Sequence, residues 1–225
     1  MSTENTPDSP ITRDGSLVEI YRRVSVTDEL ERITALLEPG GSVLDLGSGA
    51  GRISNPLSER GFQVTAVDDS ADMLAHVRGA KTVQARIEDL RLPERYDCVL
   101  LASSLVNYPG VDGRRGLLAT VAHHLKPTGK AVIQWRPPDW FDQRPVGSYH
   151  RADGAMQQTM TILRNDGEVV LGEFTLEYGD QSLTQSFEAH RVNVEDFRTL
   201  LGEVGLTLDT DDPESSEWLT ASVRS

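Results

Sequence analysis

Short apolar runs alternate with amphipathic stretches through more than half of this chain. "SLVEIYRRV" and "TDELERITALLEPGG" have helical spacing, the second opening on Thr27 with Asp28 and Glu29 close behind and ending at Pro39-Gly40. "SVLDLG" is then the first strand. "SNPLSERG" predicts a helix with Pro56 in its first turn, where proline is tolerated, and Gly61 as its stop. "FQVTAVDD" predicts a second strand, "SADMLAHVRG" a helix, "KTVQARIE" a third strand and "YDCVLLAS" a fourth. "GRRGLLATVAHHLKP" then sets Leu117, Leu118, Val121 and Leu125 on one helical face before a fifth strand, "GKAVIQWR". Strands and helices alternating at such short spacing imply right-handed crossovers, hence an α/β fold with a doubly wound, mostly parallel sheet.

After Trp135 the period changes from helical to alternating. "MQQTMTILRNDGEVVLGEFTLEYGDQSLTQSFEAHRV" reads as three period-2 strands turning at Asn165-Asp166-Gly167 and Gly179-Asp180, so residues 136–192 are expected to be an antiparallel meander inserted after the fifth strand. "NVEDFRTLLGEVG", with an Asn193 cap and a Gly205 stop, predicts a last helix, and "EWLTASVR" a closing strand. Polar residues 1–15 are expected to be a disordered arm, and 16–225 one domain.

Composition narrows the setting. With 225 residues, 38% of them hydrophobic, the chain can bury one sizeable core. Cys98 is the only cysteine and lies in an apolar run, so it reads as a small buried hydrophobe of a reducing compartment. Residues 1–15 hold no signal-type apolar stretch, and no run approaches the roughly 18 apolar residues of a membrane span. A cytoplasmic protein with no membrane partner is therefore expected. The net charge of -13, gathered partly in "DTDDPESSE", argues against nucleic acid, whose affinity comes largely from Lys and Arg on phosphates. No metal is expected.

The strongest local signal is "VLDLGSGAGR", Val43 to Arg52, where Gly47, Gly49 and Gly51 follow a strand that carries Asp45. In an open parallel sheet ligands bind at the carboxyl ends of the strands, so this loop belongs to a ligand. A dinucleotide loop would need its third glycine where Arg52 stands, and a pyrophosphate would sit badly beside Asp45; the Walker pattern is missing too. A ligand with a cationic near end and no phosphate suits the site, and S-adenosylmethionine is such a ligand. Glycines let the backbone approach it closely.

Four signals in order, "LDLGSGAG", "VTAVDDSADML", "ARIEDL" and "YDCVLLASSLVNY", make Val43 to about Arg136 similar to the class I S-adenosylmethionine-dependent methyltransferases. The resemblance implies a Rossmann-like fold, S-adenosylmethionine as cofactor and a small-molecule methyl acceptor, with a homodimer as the candidate assembly. It implies that Asp45 and Gly47, with Gly49, hold the methionine end, that Asp68 or Asp69 bonds the ribose, that Met73 packs on the adenine, and that Ile87 and Glu88 line the adenine pocket. Asp68, 21 residues beyond Gly47 at the tip of the second strand, is well placed to accept two O–H bonds. Relatives often place an aspartate where this chain has Arg86, which cannot accept a bond from the adenine amino group; Glu88, Asp89 or backbone groups would then serve. The "SS" after the fourth strand, the meander and "EAHRV" are similar to small-molecule methyltransferases of bacterial secondary metabolism, including those acting on amino sugars.

Methyl transfer is an in-line displacement at a carbon the sulfonium already activates, so alignment and exclusion of water are the main requirements. An amine acceptor needs no strong base, whereas a hydroxyl needs one within about 3 Å. Candidate catalytic residues are Asn107 and Tyr108 after the fourth strand and His190 in the meander, which shares a polar row with Glu188, Ser186 and Thr184 facing either acceptor or solvent. His76, His123 and His124 read as solvated helix positions, the last two near a helix end that favours imidazolium. Ser103 and Ser104, and Trp135, Arg136 and Trp140, emerge at the same sheet edge, the tryptophans reading equally as core. Tyr21 and Arg22 are placed to close over the cofactor or simply to pack a helix. Another reaction with the same cofactor, or a purely regulatory binding protein, stays open on the sequence.

Overall fold

The computed structural model describes residues 10–13, 15–24, 29–108 and 110–224. Strands β1 (Ser42–Leu46), β2 (Gln63–Asp68), β3 (Lys81–Gln84), β4 (Tyr96–Leu101) and β5 (Leu125–Gln134) run parallel, and β10 (Leu206–Leu208) and β11 (Trp218–Val223) extend the sheet antiparallel. The order β10-β11-β5-β4-β1-β2-β3 reverses between β1 and β4, which opens a crevice at their carboxyl ends.

Helices α1 (Val18–Arg23), α2 (Glu29–Thr34), α3 (Ser54–Glu59), α4 (Ala71–Leu74), α5 (Val111–His124), α6 (Pro138–Asp142) and α7 (Val194–Glu203) complete the layers. The pleat sends neighbouring residues into opposite cores. Leu44, Val99 and Leu101 meet Leu118 and Val121 of α5 and Phe197 and Leu201 of α7, while Val43, Cys98 and Leu100 meet Ile33 of α2 and Leu57 of α3. The doubly wound sheet is therefore covered on both faces, as its near-continuous apolar strands require.

The inserted segment is an antiparallel sheet, β6 (Gly147–Asp153), β7 (Met156–Asn165), β8 (Val169–Tyr178) and β9 (Gln181–His190). It has one strand more than the pattern predicts, because the polar β6 pairs with β7 at an edge and needs little apolar alternation. One face packs on Trp140 and Phe141, and on α1 through Ile20, Leu176 and Leu183. Gly172 makes room for Phe187: a Cβ there would stand 2.6 Å from the ring.

Other differences have simple causes. β10 is too short to show a period. Thr27 and Asp28, expected to cap α2, and residues 1–9 of the expected arm lie outside the described residues; Ile11 forms a bridge with Leu17. His124 is not a solvated imidazolium but a fully buried ring whose Nδ1 donates to the Thr120 carbonyl (2.8 Å) and whose Nε2 accepts from Leu92 N–H (2.9 Å), and burial lowers its pKa. Among the described residues no helix is long and apolar enough to cross a membrane.

Candidate active site

Gly47 and Gly51 turn the chain out of β1 with φ of +72° and +84°, a region that favours glycine. A Cβ on Gly47 would fall 2.7 Å from Leu105, and one on Gly51 within 2.8 Å of the Asn55 amide, so this loop keeps its backbone bare. Asp45 lies beneath it, 1% exposed, accepting a 2.6 Å bond from Ser54 Oγ. Burial pushes its carboxyl up to about 6, with Asp68 adding to the rise, against the pull of Ser54 and of Arg52. A buried acid held this near neutrality gains from a cation brought within reach. Ser48, in the same loop, has a buried hydroxyl with no hydrogen-bond partner among the described residues, a second sign of a ligand-facing wall.

Asp68 ends β2 with one carboxylate oxygen accepting from Gly49 N–H (2.9 Å) and the other from Ser70 N–H (3.0 Å). Both oxygens are thereby oriented. Met73, capped into place by Ser70, and Ile87, whose carbonyl accepts from Thr120 Oγ1 at 2.8 Å, form apolar walls. Tyr21, Asp45, Gly47, Gly49, Asp68, Asp69, Met73, Ile87, Glu88 and Ser103 all border this one cleft. Arg86 stands at its edge, 3.8 Å from both Glu88 and Asp89, where it balances their charge.

A second cavity of about 600 Å³ adjoins the first, between the two sheets. Ser16, Tyr21, Arg52, Ser103 and Tyr108 line both and form the junction. Ser103 and Ser104 are left-handed, at φ 57° and 54°, a conformation uncommon for serine that clusters at functional sites. Ser103 N–H is fixed by Gln134 Oε1 at 2.9 Å. Arg52, itself partly buried, forms an ion pair with the buried Glu29 of α2. Met160, Phe174 and Phe187 give the second cavity its apolar side.

The three expected catalytic residues separate here. Tyr108 is at the junction, 37% exposed. Asn107 borders the second cavity, but its amide is committed to backbone: Nδ2 donates to the Arg136 and His190 carbonyls, and Oδ1 accepts from Arg136 N–H at 2.6 Å. It positions the ends of β5 and β9 rather than meeting a reactant. His190 borders neither cavity; its Nε2 lies 2.5 Å from Glu188 on the exposed side of β9, while Leu183 and Ala189 fill the covered side. Trp135 is fully buried, its Nε1 donating to the Ser216 carbonyl, and Trp140 is 4% exposed, so both are core.

Sequence reasoning misses several lining residues. Arg13 forms a 3.1 Å ion pair with Asp69, and Thr12 and Ser16 border the cleft beside it. Gln185 accepts from Leu17 N–H (3.0 Å) and donates to the Tyr21 hydroxyl (3.2 Å), tying α1 to β9. No local signal marks Gln185, because its partners are more than 160 residues away in sequence.

A family model described as a methyltransferase domain matches residues 43–129. The chain is 32% identical to a ubiquinone biosynthesis O-methyltransferase of Rickettsia felis over 40% of its own length and 39% of that protein's. It is 31% identical to a cypemycin N-terminal methyltransferase of Streptomyces sp, covering 60% of this chain and 64% of the relative. The chain thus spans less than two thirds of these curated relatives. An amino pentose methyltransferase from Micromonospora echinaspora, solved with S-adenosylmethionine bound, superposes with a TM-score of 0.71 over 92% of this chain and 94% of that one; at 21% identity the likeness is one of fold. The matched segment contains the glycine loop, the buried Asp45 and the tip of β2, so it is over residues 43–129 that the chain is similar to the class I S-adenosylmethionine-dependent methyltransferases.

Proposed function

We propose that this protein moves a methyl group from S-adenosylmethionine to a nitrogen or oxygen of a small metabolite held in the second cavity. The observation that carries this reading is the junction, where Tyr21, Arg52, Ser103 and Tyr108 border the cleft under the glycine loop and the apolar cavity at once. Two reactants lodged on either side would meet without crossing solvent. The cofactor supplies a methyl carbon activated by its sulfonium. Asp45 and the Ser48 hydroxyl suit its cationic methionine end, the two oriented oxygens of Asp68 suit ribose hydroxyls, and Met73 and Ile87 suit an adenine face. Glu88 takes the role of acceptor for the adenine amino group, in place of the residue that Arg86 displaces.

Both nitrogen and oxygen acceptors occur among the relatives, by their names. The tyrosine hydroxyls at the junction align and desolvate a nucleophile. Incubation with S-adenosylmethionine and a panel of small amines and phenols, read by mass spectrometry, tests the reading: products heavier by one methyl with formation of S-adenosylhomocysteine support it. Calorimetry should show S-adenosylhomocysteine bound at micromolar level and NAD not bound, and Asp68→Ala should weaken that binding by about 1 to 3 kcal/mol with the fold intact. Cofactor consumption without a methylated product would point to another reaction of the same cofactor.

A further inference from the structure

Arg136 follows β5 and borders the second cavity. Asn107 clamps its backbone from both sides, through the 2.6 Å bond to Arg136 N–H and the 3.2 Å bond to its carbonyl. The guanidinium lies over the Trp140 ring, 4.8 Å from the centroid. Stacking on a buried ring holds the planar fork in one orientation and leaves its edge N–H donors available. Among the described residues this guanidinium makes no hydrogen bond and no ion pair.

The neighbouring arginines differ. Arg52, on the same cavity, is paired with Glu29, and Arg191 with Asp142. Arg136 feels Glu217 and Tyr108 as attractions, but burial first, and then Arg144, disfavour its charge. A desolvated cation with no counter-charge bonded to it is unfavourable, and one placed on a cavity wall is relieved by an anion that enters the cavity. Ile20, Val24, Met160 and Phe174 make one side of the cavity apolar, and its other charged lining residues are Arg52, already paired with Glu29, and the acid Glu188, which lies beside His190.

Resting on the reading that the second cavity receives the methyl acceptor, we infer that this acceptor joins an apolar body to an anionic group, a carboxylate or a phosphate, and that Arg136 is its anion-recognising residue. The apolar body fills the space beside Met160 and Phe174, the anion meets the guanidinium edge, and the nucleophile is left at the junction near Ser103 and Tyr108. Selection against neutral analogues follows, since an uncharged group would leave the cation unpaired.

Ligand binding tests this separately from turnover. Protein saturated with S-adenosylhomocysteine is titrated with 3-phenylpropanoate against 3-phenylpropanamide, and with phenyl phosphate against phenol, by ligand-observed NMR. The wild type should favour at least one anion over its neutral twin by roughly ten- to hundredfold, and the larger of the two preferences separates carboxylate from phosphate. Arg136→Met should abolish the preference and Arg136→Lys retain part of it, with S-adenosylhomocysteine affinity unchanged in both, which also reports an intact fold. No preference in the wild type, or one that survives Arg136→Met, overturns the inference. Methyl transfer is read independently by product mass, so an anion site without methylation breaks the proposed function and leaves the site standing.

Discussion

In the parallel sheet, successive residues of β1 and β4 enter opposite cores, Val43 and Cys98 on one side and Leu44 and Val99 on the other. In the four-stranded sheet only alternate residues are covered, and the outer face carries polar pairs such as Thr175 with Thr184 and His150 with Thr159. The cleft under the glycine loop grows out of the first sheet and is shaped by left-handed glycines and two N–H groups on Asp68, over a buried acid. The second cavity takes one wall from the other sheet and is built of side chains, Met160, Phe174 and Phe187, on a regular ladder. A wall of side chains can be changed one residue at a time without moving the backbone that carries it. The molecule thus pairs a site shaped by backbone with one shaped by side chains.

The contrast predicts unequal sensitivity, greatest in the doubly covered sheet. Trp135→Ala removes a fully buried ring packed 5.3 Å from Phe197 and should cost about 3 to 5 kcal/mol in urea unfolding, whereas Phe187→Ala, on the half-buried cavity wall, should cost clearly less. Equal losses would mean that the two sheets are one stability unit.

Acidity sharpens the comparison next. Asp45 has its folded pKa raised from 3.8 to about 6, so the folded protein without cofactor binds the extra proton, and this group's contribution to stability falls as pH rises across that window. A cationic ligand wants the carboxylate, so S-adenosylmethionine affinity should rise with pH up to about 6, by at most about tenfold per pH unit, and then level off. Calorimetry in buffers of different ionisation heat should register proton release near pH 5.5 and little near pH 7.5. An affinity independent of pH in that range would separate Asp45 from the ligand. The smallest effect is expected at His190: replacement by alanine should lower methyl transfer only a few-fold, since the ring faces Glu188 on the exposed side of β9. A hundredfold loss of rate with cofactor binding intact would bring that side of the strand into the reaction.

The parallel half of the fold and its glycine loop were legible because the information is local: apolar runs of strand length, turn glycines, and an aspartate two residues before the first of them. The residues of the cleft under the glycine loop come from the ends of three consecutive strands, so linear order maps directly onto one cleft. The second cavity is not written that way. Gln185 acquires its role only when α1 folds against β9, and Arg136 stands out only because, among the described residues, its guanidinium stacks on Trp140 without a hydrogen bond or ion pair, a property of packing with no sequence pattern. His190 shows the limit of alternation, which groups it with Glu188 but cannot say which face of β9 is covered. His124 shows the limit of a helix-end argument, because one more turn of packing buries the ring that electrostatics alone would leave in water.

Cys98 sits at the centre of β4, completely buried, with burial pushing its thiol up to about 12. At neutral pH it is protonated and out of reach, so an alkylating reagent can modify the folded protein only in the moments when the middle of the parallel sheet opens. As the only cysteine in the sequence, it makes labelling a clock with a single hand. The rate of incorporation reports the opening of the doubly covered core, and the slowing of that rate by bound S-adenosylhomocysteine measures how far occupancy of the cleft is felt in the strand beneath it.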